Sequence, residues 1–161
     1  MDISIGHGTH LPVLIKIMGI TDGAVLELGT GLFSTPFLHW ACYLSKRTLV
    51  SYDCEIDYFK EYLKFENDFH KVFYTRNWDS VDLSGHWSVV LVDHSPAIRR
   101  KEEIKRLAHS ADYIIVHDTN PRINHHYKFS EIYPLFKYRK DFKYEKPYTT
   151  VLSNFKDLSN L

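Results

Sequence analysis

Hydrophobic and polar positions alternate along this chain in short blocks. Apolar runs bounded by glycine or polar residues are typical of buried parallel strands. They predict strands at residues 25–28, 48–52, 72–74, 88–92 and 113–116. Between them, apolar residues recur at helical spacing. This pattern predicts helices at residues 11–20, 35–44, 57–69 and 97–110.

Strands that alternate with helices of this length indicate βαβ crossovers. After Pro121 the rhythm changes, and we expect a short helix at residues 130–138 followed by two strands at 142–144 and 149–152. The fold class predicted is therefore α/β. We expect an open, Rossmann-like, mainly parallel seven-stranded sheet, with helices on both faces and a C-terminal antiparallel hairpin. Residues 1–161 suit a single domain.

Composition narrows the class of protein. The chain is 44% hydrophobic and 25% charged, as expected of a globular domain, and no apolar run is long enough to span a bilayer. The first four residues lack the basic and apolar regions of a secretory signal. Two cysteines, Cys42 and Cys54, suit neither a disulfide framework nor a zinc site. We expect a cytoplasmic protein without a membrane partner.

The net charge is zero, but residues 122–147 carry seven bases and three acids among many aromatic residues. Such a segment can bind nucleic acid. It is also typical of amphipathic elements whose aromatic residues belong to the core. We favour the second interpretation and do not expect nucleic acid as the partner.

The first predicted strand ends in Glu27 and runs into Gly29, Thr30 and Gly31. Glycines let a backbone turn sharply and approach a ligand, and the following helix offers free N–H groups at its start. A strand, a glycine turn and a helix in this order indicate a site for a nucleotide-like ligand.

Ligands of open α/β sheets bind outside the carboxyl ends of the strands. An acid lies at or within a few residues of each predicted strand end, and these acids are Glu27, Asp53, Asp79, Asp93 and Asp118. Asp53 follows the glycines by about 20 residues, the spacing at which an acid on the next strand reaches a ribose diol. Glu55 is a second candidate for that role.

The chain resembles the class I S-adenosylmethionine-dependent methyltransferases in residues 27–31, 77–79 and 91–93 and in Asp53. The resemblance implies S-adenosylmethionine as cofactor. By it, Gly29 and Gly31 pass under the methionine part, Glu27 positions the amino group, and Asp53 binds the ribose. Trp78 and Asp79 would flank the adenine. The cofactor-binding set implied is Glu27, Gly29, Thr30, Gly31, Ser34, Asp53, Trp78, Asp79 and Asp93. Phe33 stands where the family often has a third glycine, so we expect a less open turn.

A narrower similarity, to small-molecule O-methyltransferases, lies in residues 91–94 and 116–119. Metal-dependent members hold a divalent ion with acids after the fourth and fifth strands. The resemblance thus implies Asp93 and Asp118 as magnesium ligands, with Thr119 in place of a third ligand and Asn120 or His117 as substitutes. The alternative is that Asp93 faces the cofactor and Asp118 only ends its strand.

Methyl transfer from a sulfonium needs in-line positioning and removal of one proton. The catalytic candidates are His94, His117 and Asp118, since both histidines follow strands at the predicted site and histidine is a suitable base. His94 has the alternative of stacking near the adenine, and each histidine has a structural alternative.

Two further segments have two interpretations each. Residues 6–10 suit a mobile lid, with Thr9 or His10 near the cap of the first helix, or a disordered terminus. Arg99 and Arg100 suit either the binding of an acidic substrate or the solvated face of a helix.

We therefore expect methyl transfer from S-adenosylmethionine to an oxygen, or a nitrogen, of a small molecule or sugar. One alternative is an NAD-dependent oxidoreductase, although Ser34 stands where its fingerprint needs a third glycine. Another is a non-catalytic module that keeps the fold. No Asn-Pro-Pro-Tyr motif is present to indicate a nucleic-acid methyltransferase.

Overall fold

The computed structural model describes residues 5–161, so the first four residues, on which the expectation about a secretory signal depends, lie outside it. The described chain is built around one seven-stranded sheet. Its strands are β1 (Val25–Leu28), β2 (Leu49–Asp53), β3 (His70–Tyr74), β4 (Trp87–Val92), β5 (Ala111–Val116), β6 (Tyr138–Phe142) and β7 (Thr149–Ser153).

Five α-helices connect or flank these strands in the described part of the chain: α1 (Leu11–Met18), α2 (Ser34–Ser45), α3 (Ile56–Tyr62), α4 (Arg100–Leu107) and α5 (Asn124–Tyr127). Short 3-10 helices occupy Ile5–Gly8, Leu63–Phe65, Trp78–Ser80, Ala97–Arg99, Pro121–Ile123, Phe129–Glu131 and Tyr133–Leu135.

The strand order across the sheet is β3-β2-β1-β4-β5-β7-β6. The first five strands in this order are parallel to one another, whereas β7 runs antiparallel to both β5 and β6. The order reverses between β1 and β4, and ligands of open parallel sheets bind at such a switch point. The predicted fold class, including the C-terminal antiparallel hairpin, is confirmed.

Both faces of the sheet are covered, because side chains along a strand point alternately to either side. In β4, Val89 and Leu91 pack toward α1 and α2. Val90 and Val92 pack toward α4 and the 3-10 helix at residues 78–80. All four side chains are fully buried, which explains why this strand reads as a continuous apolar run.

The C-terminal region differs from the expectation. The helix predicted at 130–138 is wrong: Pro134 cannot continue a helix, and two 3-10 turns replace it. The strand predicted at 142–144 is also misplaced, because β6 begins at Tyr138 and ends at Phe142. Its alternate residues Arg139 and Asp141 are exposed and pair with each other. Charged residues of this kind are usual on edge strands and hide the strand pattern.

Two predicted helices are shorter than their apolar patterns. The helix expected at 57–69 ends at Tyr62, and the Asn67 side chain then accepts hydrogen bonds from the N–H groups of Phe69 and His70, where β3 begins. The helix expected at 97–110 opens with a 3-10 turn, and its α-helical part starts at Arg100. This start point decides which way the arginines face.

Among residues 5–161, no helix combines the length and the apolar character that crossing a membrane requires.

Candidate functional site

A cavity of about 520 Å³ opens at the carboxyl ends of β1, β2, β4 and β5. Its size suits a cofactor-sized ligand. The loop after β1 forms one wall, and residues after β4 and β5 form the other. Of the predicted cofactor-binding and catalytic residues, those that line it are Gly29, Thr30, Gly31, Ser34, Asp53, Asp93, His94, His117 and Asp118. Glu27, Trp78 and Asp79 do not line it.

Gly29 is required by the backbone. Its φ is +99°, in the left-handed region that residues with a Cβ rarely adopt. A Cβ at this position would lie 2.6 Å from the backbone carbon of Asp93 and from the backbone nitrogen of His94. The glycine therefore lets the loop after β1 touch the loop after β4.

Gly31 has a different role. It borders the cavity, its φ is not in the left-handed region, and a Cβ there would meet only the Ser34 hydroxyl at an ordinary 3.4 Å. Neither backbone strain nor a neighbouring chain segment requires glycine at this position. Because Gly31 has no side chain, the cavity beside the loop keeps more space.

Asp53 ties the glycine loop to the end of β2. One of its carboxylate oxygens accepts hydrogen bonds from the N–H and the hydroxyl of Thr30, both at 2.7 Å. The other oxygen accepts from the N–H of Glu55 at 2.8 Å. Asp53 is buried and Glu55 is exposed, and both border the cavity. The predicted ribose ligand thus also braces the loop, and the second candidate stands beside it.

Glu27 lies beneath the glycine loop and is fully buried. Its carboxylate accepts hydrogen bonds from Ser51 at 2.7 Å and from Thr35 at 2.9 Å. Burial raises the pKa of Glu27 to about 7, although these hydroxyl hydrogen bonds oppose the shift. The Thr35 hydroxyl in turn accepts from the N–H of Gly31 at 2.9 Å. Glu27 therefore supports the glycine loop from beneath, through the Thr35 hydroxyl.

Trp78 and Asp79 do not line the cavity. The buried Trp78 ring packs on His94 with centroids 3.8 Å apart, and its Nε1 donates to the Ser95 carbonyl at 2.8 Å. Asp79 is exposed and pairs with Arg99 on the protein surface. Neither residue lines the cavity, and their place beside the adenine stays a prediction.

The imidazole of His94 is buried and packs against neighbouring side chains. Besides its contact with Trp78, its Nε2 lies 3.4 Å from a carboxylate oxygen of Glu103 in a fully buried position. It is the backbone of His94 that meets the glycine loop. Of the two predicted histidine bases, only His117 is therefore joined to the acids at the strand ends.

Asp93 and His117 form a close pair at the ends of β4 and β5. One oxygen of Asp93 lies 3.2 Å from Nδ1 of His117. Burial alone would lower the pKa of His117, but the charge and hydrogen bond of Asp93 outweigh it and raise the pKa. Burial likewise opposes ionisation of Asp93, yet Arg100 and His117 hold its pKa at about 2.

Asp118 has a strained backbone, with a φ of +61°. Its Oδ2 atom accepts hydrogen bonds from Arg100 at 3.0 Å and from the Tyr127 hydroxyl at 2.8 Å. Arg100 also pairs with the second oxygen of Asp93 at 3.0 Å. A non-glycine residue in this conformation is costly, and such strain is common at functional sites.

These contacts do not fit the predicted magnesium site. A divalent hard ion needs open carboxylate oxygens, and the Arg100 guanidinium already bridges Asp93 and Asp118. The proposed substitute Asn120 is also engaged, since its side-chain oxygen accepts from the N–H of Tyr148. The expectation that Asp93 and Asp118 hold magnesium is therefore not supported.

Donor atoms of His10, Asp93 and His117 also lie within 4.8 Å of one another. His117 uses Nδ1 toward Asp93, and its Nε2 lies 2.9 Å from the hydroxyl of Thr9. Asp93 uses both oxygens, toward Arg100 and toward His117. Two of the three donor groups are thus already paired, and this cluster does not form an open metal site either.

His10 was predicted only within the lid segment, near the cap of α1, and not as a neighbour of His117. It is buried against His117, with ring centroids 4.8 Å apart, and neither of its nitrogens has a hydrogen-bond partner among the described residues. Burial lowers its pKa to about 4, so the ring is neutral. Apart from its position just before α1, nothing in the sequence indicated that His10 packs against His117. Tyr58 and Pro147 also line the cavity without having been expected.

The N-terminal segment covers part of the cavity. Residues 5–8 form a 3-10 helix, Gly6 and His7 border the cavity, and Gly8 packs against the ring of Phe33. The Thr9 hydroxyl donates to the carbonyl of Pro147 at 2.6 Å. This placement agrees with a cover over the site, and the mobility of the segment remains a prediction.

No protein-family model matches the sequence, and no curated protein matches it either. Solved structures do match. An O-methyltransferase from Bacillus cereus, solved with SAH, has a TM-score of 0.63 at 16% identity over 94% of this chain and 83% of that one. The N-terminal domain of human METTL16 with SAH has a TM-score of 0.65 at 10% identity, over 97% and 73%. A methyltransferase from Pyrococcus furiosus has a TM-score of 0.58 at 12% identity, over 92% and 84%.

The chain has the class I S-adenosylmethionine-dependent methyltransferase fold. Two of these three structures contain SAH, the product of the cofactor. The resemblance seen in the sequence is thus confirmed in the fold, and with identities between 10% and 16% it is the fold that these structures share with this chain.

Proposed function

We propose that this protein transfers the methyl group of S-adenosylmethionine to an oxygen of a small molecule. One observation carries the proposal. A single cavity joins the glycine loop and Asp53 on one side to the Asp93–His117 pair on the other. Methyl transfer needs these two parts, a cofactor end and an acceptor end, within reach of each other.

The cofactor end is formed by the loop after β1 and the end of β2. Gly31 leaves room for the methionine part, and Ser34 and Thr30 border the same space. Asp53 and Glu55 offer carboxylate oxygens to the ribose hydroxyls, which carboxylates bind strongly. Glu27 fixes the loop through Thr35 rather than touching the cofactor.

The acceptor end is formed by His117 and its partners. The Thr9 hydroxyl lies 2.9 Å from Nε2 of His117, so a hydroxyl group can come within hydrogen-bond distance of this nitrogen. In the proposed reaction the acceptor oxygen attacks the methyl carbon, the bond from that carbon to sulfur breaks, and S-adenosylhomocysteine leaves. The acceptor proton passes to Nε2 of a neutral His117, whose Nδ1 proton faces Asp93.

The other two catalytic candidates receive different roles. Asp118 accepts hydrogen bonds from Arg100 and Tyr127 and holds the charged groups around His117 in place. His94 supports the Trp78 side of the fold, so we propose no proton transfer through it.

A small acceptor is favoured over nucleic acid. The N-terminal segment and Pro147 border the cavity and restrict what enters it. In the basic segment 122–147, Phe129 and Phe142 are buried and the Arg139 guanidinium packs on Tyr133. These three rings pack in or against the core and are not free to stack on bases, whereas Tyr144 of the same segment is exposed.

The test uses S-adenosylmethionine labelled in the methyl group. The protein is incubated with a small-molecule extract and, separately, with RNA and DNA, and the labelled product is identified by mass spectrometry. We expect label on a small-molecule oxygen, and at least a hundredfold less with His117→Gln. His86→Asn is the matched control, because His86 pairs with Asp112 at the opposite end of the sheet. Label in nucleic acid, or in no acceptor despite cofactor binding, would contradict the proposal.

A further inference from the structure

We propose that the guanidinium of Arg100 is the resident cation of the acceptor end, standing where metal-dependent methyltransferases hold a divalent ion. Methyl transfer then needs no metal, and Arg100 orients the acceptor oxygen. This inference rests on the proposed function for its catalytic part. Its structural part, the exclusion of metal from Asp93 and Asp118, stands on the contacts alone.

All three guanidinium nitrogens of Arg100 make contacts within the protein. One terminal nitrogen lies 3.0 Å from Asp118, and the other lies 3.0 Å from a carboxylate oxygen of Asp93. The latter nitrogen also donates to the Asp93 carbonyl at 2.9 Å, while Nε donates to the His94 carbonyl at 2.6 Å. The planar fork of arginine suits such paired contacts, which a lysine cannot reproduce.

The surroundings suit a permanent positive charge. Arg100 is buried yet borders the cavity, and its charged group lies 5.1 Å from the centre of the Tyr127 ring. The face of an aromatic ring attracts a cation. Asp93 and Asp118 supply the balancing negative charges. A free divalent ion would have to displace an arginine that both carboxylates already hold.

The position of Arg100 follows from the start of α4. The 3-10 turn at Ala97–Arg99 delays the helix by three residues, which turns Arg100 toward the sheet edge. Its neighbour Arg99 pairs instead with the exposed Asp79 and with the buried Glu103. Only one of two adjacent arginines therefore reaches the cavity.

A cation at this point does what a metal ion would do for an acceptor hydroxyl. It attracts the oxygen, holds it in line with the methyl group and stabilises negative charge as the proton leaves for His117. Unlike a bound ion, the guanidinium is covalently part of the chain, and a chelator cannot remove it.

The test measures Mn²⁺ binding by electron paramagnetic resonance in the wild type and in Arg100→Ala. Removal of the guanidinium leaves two facing carboxylates, so we expect Arg100→Ala to bind Mn²⁺ at least tenfold more tightly than the wild type. Adding Asp118→Asn to that variant is expected to abolish the gain. Arg106→Ala is the matched control from the same helix, because Arg106 binds backbone carbonyls and bridges no pair of acids.

A second readout needs no variant. The imidazole NMR signals of His117 in the wild type are expected to stay sharp when Mn²⁺ is added, and broadening at micromolar Mn²⁺ would overturn the proposal. A folded Arg100→Ala that gains no Mn²⁺ would overturn it too. With an acceptor in hand, a chelator should change the wild-type rate less than twofold, and a larger loss would contradict the catalytic part. Failure of cofactor binding would instead contradict the proposed function and leave the Mn²⁺ results standing.

Discussion

Thr30 binds Asp53 through both its backbone and its side chain, with the N–H and the hydroxyl each 2.7 Å from the same carboxylate oxygen. The acid at the end of β2 therefore holds the glycine loop at the end of β1. A residue that binds the ribose in the proposed function also shapes the loop that receives the methionine part.

Replacement of Asp53 by alanine is expected to weaken binding of S-adenosylhomocysteine by about 1–3 kcal/mol, because a charge-assisted hydrogen-bond partner is lost. Isothermal titration calorimetry measures this change. Asp57→Ala is the control, since Asp57 is an exposed acid in the first turn of α3. Equal affinity in the wild type and Asp53→Ala would exclude Asp53 from the cofactor site.

The two glycines of the loop are expected to respond differently to alanine. Gly29→Ala should lower the free energy of unfolding by at least about 2 kcal/mol, because the left-handed φ and the 2.6 Å contacts both oppose a Cβ. Gly31→Ala should change it by less than about 1 kcal/mol, since its Cβ meets no backbone atom. Urea unfolding measures both.

The alanine variant of Gly31 also tests cofactor binding separately from folding. Gly31→Ala is expected to fold normally and to bind S-adenosylhomocysteine at least tenfold more weakly, because its methyl group projects into the cavity. Unchanged affinity in a folded Gly31→Ala would show that the cofactor does not pass this residue.

Glu27 should make stability depend on pH. Burial raises its pKa from 4.5 to about 7, so the folded state binds the proton more tightly than the unfolded state. Its contribution is fully present below pH 4.5 and is lost as the pH rises through 7. Relative to Glu27→Gln, the wild type should lose on the order of 3 kcal/mol of unfolding free energy over this range.

Denaturant unfolding of both proteins at several pH values tests this, with the difference between them as the readout. His70, whose pKa burial lowers to about 4 with a further contribution from His39, acts equally in both proteins and cancels. A difference that stays constant between pH 5 and 8 would show that Glu27 is not protonated in the folded state.

The pKa of His117 is expected to lie above 6.5 in the wild type and to fall in Asp93→Asn. Burial disfavours the charged imidazole, and the charge and hydrogen bond of Asp93 reverse that effect. Titration of the imidazole nitrogens by NMR measures both values without a substrate. If the pKa of His117 is the same in the wild type and in Asp93→Asn, the proposed Asp93–His117 pairing is wrong.

The sequence predicted the centre of the fold better than its edge. Strands such as β4 are buried on both faces, so their apolar runs are plain to read. The edge strand β6 has exposed charges at Arg139 and Asp141, and Pro134 interrupts the segment before it. A strand that is partnered on one side only keeps polar residues, and its pattern is weak.

The site was predicted in part for a similar reason. Residues at strand ends, such as Asp53, Asp93 and His117, meet because parallel strands end at one edge of the sheet. The positions of Arg100 and His10 depend on where helices start and how loops close over the site. The charge pattern made Arg99 and Arg100 equal candidates for binding a substrate, whereas in the structure Arg100 borders the cavity and Arg99 does not.

The most direct test of the central claim is calorimetric titration of the wild-type protein with S-adenosylmethionine, S-adenosylhomocysteine and NAD. The cavity, the glycine loop and the carboxylates at the end of β2 predict micromolar binding of both adenosyl ligands and none of NAD. A folded protein that binds neither adenosyl ligand would contradict the assignment of this cavity as a methyltransferase site.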